Sequence, residues 1–246
     1  MTALFFFGTL RDRHLLEIVL DRPVAEGELR PARAPGFAVR RLHGQAYPHL
    51  VEEAGAMAEG VVFDAGPDEL ARLDYFEEAE YGLTPISVET AAGPVEASYY
   101  RSTEKLRPGD GLWDYEAWRR GARDVAMEAA RELMAHYGAV PVEDMDRIWP
   151  GIMIRARMRA RAGAETPPAG RLRRPHGPGD VVSLGIARPY TGIFALEEHS
   201  LRHRRFDGSW SPEVERTVLS IGDAVTVLPY DPRRDRVLLI EQFRAA

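Results

Sequence analysis

The sequence predicts an α+β fold: a small, barrel-like first module and a second module that is β-rich. Three observations carry this. Residues 1 to about 105 read as short strands and turns with a few helices and no βαβ rhythm. No Gly-x-Gly-x-x-Gly follows a strand, which argues against a dinucleotide-binding sheet. The stretch "AGAETPPAGRLRRPHGPGD", 162–180, is rich in Pro, Gly and Arg and reads as a linker.

"LFFF" is a buried-strand run, and "DRHLLEIVL" has Leu15, Leu16, Val19 and Leu20 at helical spacing. "FAVRRL", "QAYPHLVEE", "AEGVVFD" and "ISVETAAGPVEASYYR" predict strands broken by Gly and Pro, with Gly93-Pro94 as a hairpin turn. "GPDELARLDYFE" predicts a helix opening at Pro67-Asp68. A strong helical period runs from Tyr115 to Tyr137, with Gly138 at the C-cap position. Arg155, Arg157, Arg159 and Arg161 then alternate, as an anion stripe or, with more weight, as a solvated face leading into the linker. Beyond the linker, strands are predicted at Phe194–Leu201, Val214–Ser220, Ala224–Pro229 and Arg236–Phe243, joined by "FDGS" and "DPRRD" turns. The chain stops three residues after the last of these, so the second module is expected to be incomplete.

The 246 residues carry 45% apolar and 28% charged residues, the balance of a soluble globular protein. No apolar run approaches a membrane span, and no secretory signal opens the chain, so a cytoplasmic location is expected. There is no cysteine, which excludes disulfides, thiolate nucleophiles and cysteine-held zinc. A net charge of −6 gives no reason to expect nucleic-acid binding. Lys105 is the only lysine, which excludes a P-loop. The seven histidines suggest no metal set, and His199 and His203 read as surface residues.

Two stretches of the first module carry chemistry. In "LDYFEEAEY", Leu70, Leu73, Asp74 and Glu77 share one helical face, which sets Glu77 at the lip of a core-facing helix. A desolvated carboxyl there shuttles a proton near neutral pH. The alternative is a solvated helix end. In "FFFGTLRD", a strand runs through Gly8-Thr9-Leu10 into a helix, so backbone N–H groups face outward at the turn. Together they form a minimal kit for acyl transfer within a substrate that brings its own nucleophile.

"FFFGTLRD", "LDYFEEAEY" and "VEASYYR" together resemble the γ-glutamylcyclotransferase (AIG2-like) family, over roughly residues 1–105. The resemblance implies a small mixed β-barrel and cyclisation of a γ-glutamyl group to 5-oxoproline by its own α-amine. Carried over by position, Phe7, Gly8, Thr9 and Leu10 match the binding loop and Glu77 the general acid/base. Tyr81, with Tyr99 or Tyr100, would line the pocket, Tyr100 being the assigned one. Phe7 stands where the family has Tyr, and Glu78 where it has Gly after the catalytic Glu.

"FDGSWSPEVERTVLSIGDAVTVLPYDPRRDRVLLIEQFR" resembles the N-terminal half of Nudix hydrolases of the ADP-ribose pyrophosphatase type. It is especially similar to bacterial two-module proteins, some tied to tellurite resistance, that join a cyclotransferase-like domain to such a Nudix domain. The resemblance assigns Arg216 and Arg244 to the nucleotide sugar, although Thr217 replaces a common Glu. Exposed strand-end arginines are the alternative. The metal-binding Nudix signature is absent. Its nearest partial match, "RELMAHYGA" at 131–139, has Ala135 and His136 at the metal-binding Glu positions and Arg123 at the upstream one.

These readings divide the chain into a cyclotransferase-like domain at 1–110, a helical connection at 111–161, the linker, and a partial Nudix domain at 181–246. The leading expectation is a parent protein that hydrolyses ADP-ribose or a similar nucleoside diphosphate sugar, with Mg2+ in a complete Nudix domain. No cofactor is expected for this chain, which should not hydrolyse ADP-ribose as given. The alternatives are γ-glutamyl cyclotransfer at Glu77 and a non-catalytic binding or dimerisation module. The expected partner is a small-molecule substrate, with neither nucleic acid nor membrane, and with homodimerisation through the Nudix part as an option.

Overall fold

The computed structural model describes residues 1–43, 47–77, 81–102, 108–164, 178–223, 225 and 227–238. The fold is α+β, and its centre is a small mixed barrel. Strand β1, Thr2–Phe6, pairs antiparallel with β3, Pro48–Ala65, and parallel with β5, Gly93–Ser102. β5 pairs with β4, Tyr81–Thr90, through the expected hairpin. β4 touches β2, Arg30–Leu42, and β2 runs antiparallel along β3, which closes a ring of five strands. A sixth strand, β6 at Pro108–Leu112, adds to β2.

The ring separates two cores. Alternate residues of each strand point to opposite faces. Phe5, Ala32, Ala34, Val62, Val88 and Tyr99 fill the strand-only interior. Leu4, Phe6, Phe63 and Tyr100 face outward under the helices. These are α1 (Arg13–Leu20), α2 (Pro67–Glu77), α3 (Tyr115–Gly121), α4 (Arg123–Met134) and α5 (Met145–Ala164). Gly60 marks where the wall is tightest: a Cβ there would lie 2.4 Å from the Phe5 ring and 2.5 Å from the Phe6 carbonyl oxygen.

Several elements differ from the sequence reading. The two strands expected at 45–53 and 58–64 are one strand, β3. Its small, Gly-containing middle is absorbed by a bulge, where the register jumps from Pro35↔Met57 to Phe37↔Glu52. The single helix expected over 115–137 is two, broken at Gly121-Ala122, and it ends at Met134, before Gly138. The arginine run is neither an anion stripe nor a wholly solvated face. In a helix Arg155 and Arg159 share one side. Arg155 is fully buried and its Nε donates to Glu132 at 2.8 Å, while Arg159 pairs with Glu128, also on α4. Only Arg157 and Arg161 lie exposed.

Of the stretch expected as a linker, 162–180, the first three residues belong to α5, Pro178–Asp180 form a 3-10 turn and 165–177 lie outside the described residues; after it three strands form an antiparallel sheet: β7 (Val181–Thr191), β8 (Ala195–His203) and β9 (Val214–Ser220). β7 was not expected. Val225 and Val227–Pro229, from the strand expected at 224–229, lie outside any strand. A short hairpin follows, β10 (Tyr230–Asp231) with β11 (Arg236–Val237). Residues 239–246, which include Arg244, lie outside the described residues. The sheet docks on α5: Arg155 Nη1 donates to the carbonyl oxygens of Gly192 and Ile193, both at 3.2 Å. No helix among the described residues is long and apolar enough to cross a membrane.

Candidate functional site

The barrel's register brings the two sequence-predicted stretches to one end. β1 and β5 run parallel with Leu4 beside Ser98. Running parallel, the two strands end on the same side, so the loop after β1 and Ser102 at the end of β5 lie at one end of the barrel. Ser102 in turn pairs with Tyr81, four residues after Glu77 ends α2. The loop leaving β1, the end of β5, the start of β4 and the end of α2 therefore gather together. Pro48, the first residue of β3, joins them from the other side. A Cβ on Gly8 would meet Pro48 Cγ at 3.1 Å, so the loop packs closely on the start of β3 and a larger residue would require Pro48 to shift by a few tenths of an ångström.

The loop is a 3-10 turn, Thr9–Arg11, with Gly8 before it. Its first N–H groups have no acceptor within the turn, and no side chain caps it. Arg11 N–H donates to Gly8 O at 3.3 Å and Asp12 N–H to Thr9 O at 3.0 Å, which fixes the turn. Leu10 is buried in the helix-side core and anchors it. Phe7 points the other way, into the barrel, edge-on to Tyr99 at 6.0 Å. A phenol at position 7 would thus project toward the interior face that Tyr99 occupies.

Glu77 is half-buried at the end of α2. Leu73, one turn earlier, is fully buried and seats the helix. Asp74, on the same face, accepts a 2.7 Å hydrogen bond from the Tyr100 hydroxyl, which ties α2 to β5. The Tyr100 phenol is pushed well above its ordinary range, first by burial, then by its bond to Asp74 and the charges of Asp74 and Glu77. Tyr100 therefore stays protonated and acts as a donor. Glu78 lies outside the described residues. Tyr81 is half-buried at the start of β4. Tyr99 and Tyr100 divide the roles considered for them: Tyr99 faces the interior, Tyr100 the α2 side.

The family model "Gamma-glutamyl cyclotransferase, AIG2-like" matches residues 4–120. Residues 4–120 carry an AIG2-like domain. AIG2-like protein A of Arabidopsis thaliana is 29% identical over 134 residues, 53% of this chain and 79% of that protein. The solution structure of an Arabidopsis thaliana protein, 25% identical, aligns with 57% of this chain and 95% of its own length at a TM-score of 0.40. A separate match is to the ADP-ribose pyrophosphatase of Escherichia coli strain K12, 44% identical over 70 residues, 28% of this chain. The chain spans about a third (34%) of the length of the ADP-ribose pyrophosphatases of that strain and its relatives.

Outside the AIG2-like domain, Arg216 sits exposed on β9 opposite His199, with Nη1 on the Glu215 carbonyl oxygen at 2.7 Å. His199 lies 3.1 Å from Glu197. Among the described residues no group of three or more His, Asp or Glu is arranged to hold a metal ion. Sequence reasoning missed Asp12 and Arg123, which meet at the end of the loop with Nε to Oδ2 at 2.6 Å. The N-cap pattern of an Asp before "RHLLEIVL" was the only available signal.

Proposed function

We propose that the AIG2-like domain is a γ-glutamyl cyclotransferase, releasing 5-oxoproline from a γ-glutamyl amide or peptide. The observation that supports this best is the meeting of the Gly8–Leu10 loop and the end of α2 at one end of the barrel. In this reading the loop's N–H groups hold the substrate and the oxyanion that develops on its γ-carbonyl. The α-amine attacks the γ-carbonyl carbon and a new C–N bond closes the five-membered ring. Glu77 takes a proton from the attacking nitrogen and returns it to the departing amine as the old amide C–N bond breaks. The Tyr100 hydroxyl, by donating to Asp74 on the same helix, ties α2 to β5 and so helps to fix the helix end that carries Glu77. No cofactor enters.

Incubation with γ-glutamyl dipeptides and γ-glutamyl amines tests the reading, with 5-oxoproline quantified. Release is expected from the wild type. Glu77→Gln is expected to lower kcat by at least about 10²-fold with the fold unchanged. Turnover that survives Glu77→Gln would overturn the assignment of the acid/base.

A second reading concerns the whole protein and rests on the 70-residue match to ADP-ribose pyrophosphatases. It assigns hydrolysis of ADP-ribose or a similar nucleoside diphosphate sugar to a complete Nudix domain, with Arg216 and Arg244 forking onto the ligand. The same preparations, offered ADP-ribose, separate the two activities by product.

A further inference from the structure

We propose that Arg123 is a positioning residue for the Gly8–Leu10 loop, acting through the Asp12 carboxylate. Its activity arm rests on the cyclotransferase reading above; its structural arm does not.

Asp12 is the first residue past the 3-10 turn and is only 5% exposed. Its N–H closes the turn on Thr9 O, so the loop's far end hangs on it. Its side chain receives four donors. Oδ1 accepts from His14 N–H at 3.0 Å and Leu15 N–H at 3.2 Å, which caps α1. Oδ2 accepts from Arg123 Nε at 2.6 Å, and Arg123 Nη2 reaches Oδ1 at 3.2 Å. Two parallel donors on one carboxylate fix orientation as well as distance, which a lysine cannot do.

A buried carboxylate with only two backbone partners is costly to keep charged. Burial alone would raise the Asp12 pKa, yet the Arg123 hydrogen bond, the two backbone donors and the Arg123 charge outweigh burial and hold it below its ordinary value. Removing Arg123 leaves that charge under-compensated, and the carboxylate must rotate or take a proton. Either movement loosens the end of the turn. Arg123 lies just past the segment that matches the family, 4–120. The helix after the domain thus completes the domain's own site.

The test uses the full chain. Arg123→Met, Arg123→Lys and a control, Arg30→Met, are compared with wild type by amide hydrogen exchange over residues 8–12 and by KM and kcat for 5-oxoproline release. Arg30 makes an ion pair of similar length but greater exposure, to Asp64 at 2.5 Å, elsewhere on the barrel. Arg123→Met is expected to speed exchange at Arg11 and Asp12, whose N–H groups close the turn, and to raise KM, each about tenfold, with kcat less affected. Arg123→Lys should recover part of both, and Arg30→Met should leave both at wild-type values. Unchanged exchange in Arg123→Met, or an equal change in Arg30→Met, would overturn the proposal. If Arg123→Met does not fold, the lysine variant carries the comparison. If the wild type releases no 5-oxoproline, the cyclotransferase reading falls and exchange alone decides the positioning role.

Discussion

Asp12 shows how one buried carboxylate can serve a cap, an ion pair and a loop at once, and its charge has a measurable signature. Its folded pKa lies below the ordinary 3.8 because Arg123 and two N–H donors outweigh the burial that would raise it. A depressed carboxyl contributes stability that is fully present above its unfolded pKa and is lost as pH falls through the folded one. Asp12→Asn is therefore expected to cost about 2 kcal/mol near neutral pH. The gap to wild type should narrow as pH drops below 3.8. Urea unfolding between pH 7 and pH 3 measures it, and a gap that stays constant with pH would mean that Asp12 acts by shape alone. At this scale the sequence exposed some residues and hid others. Gly8, Thr9, Leu10 and Glu77 stand in short local patterns, so the sequence alone could nominate them. It could not nominate Arg123: its partner lies 111 residues away, and no local spacing records a pair that only the fold brings together.

Elements were legible where a local rule decided them. The helical spacing of Leu15, Leu16, Val19 and Leu20 gave α1, Pro67-Asp68 gave the start of α2, and Gly93-Pro94 gave the β4–β5 hairpin, whose turn lies two residues earlier, at Ala91-Ala92, with Gly93 and Pro94 already paired in β5. They were illegible where tertiary pairing overrode local signals. The Gly-containing middle of β3 reads as a break but is bridged by its long partner β2. The arginine run of α5 reads as a solvated face, but α4 supplies Glu132 and Glu128 to receive Arg155 and Arg159. β7 was missed because it has no buried residue to mark a core face. Gly151 offers a test of how α5 meets the second sheet. In an exposed helix interior, Gly→Ala stabilises by about 1 kcal/mol. Here a Cβ would lie 2.2 Å from the Gly192 carbonyl oxygen, which is backbone and cannot swing aside. The clash outweighs the helix gain, so Gly151→Ala should destabilise by about 1–3 kcal/mol. A thermal melt that moves upward would show that the β7–β8 turn does not rest on this helix.

The molecule as a whole is asymmetric in what supports what. The helix-side core runs continuously from Leu4 and Phe6 through α1, α2 and α4 to Ile152 and Ala156 on α5, and the barrel interior backs it from within. Both cores lie entirely before the linker. The sheet of β7, β8 and β9 buries only Ala195, Glu197, Ser211 and Ser220 among its own strands and turns, while Val181, Leu184, Ile186 and Leu219 are each at least 44% exposed. Three strands need a packed apolar face to stand alone, and this face is not packed. Its attachment is polar and local: Arg155 on the Gly192 and Ile193 carbonyl oxygens, Arg159 near Glu197 at 3.8 Å, and Arg161 on Asp223. Barrel and helices should therefore fold without the sheet, but not the sheet without them. A fragment of residues 1–164 is expected to unfold cooperatively, with a midpoint within a few degrees of the main transition of the full chain, because the buried Arg155–Glu132 pair and both cores stay intact. A fragment of residues 178–246 is expected to give a disordered circular dichroism spectrum with no melting transition. A cooperative melt from the second fragment would mean that the sheet folds without α5, and failure of the first to fold would mean that the polar contacts on α5 stabilise the barrel as much as they hold the sheet.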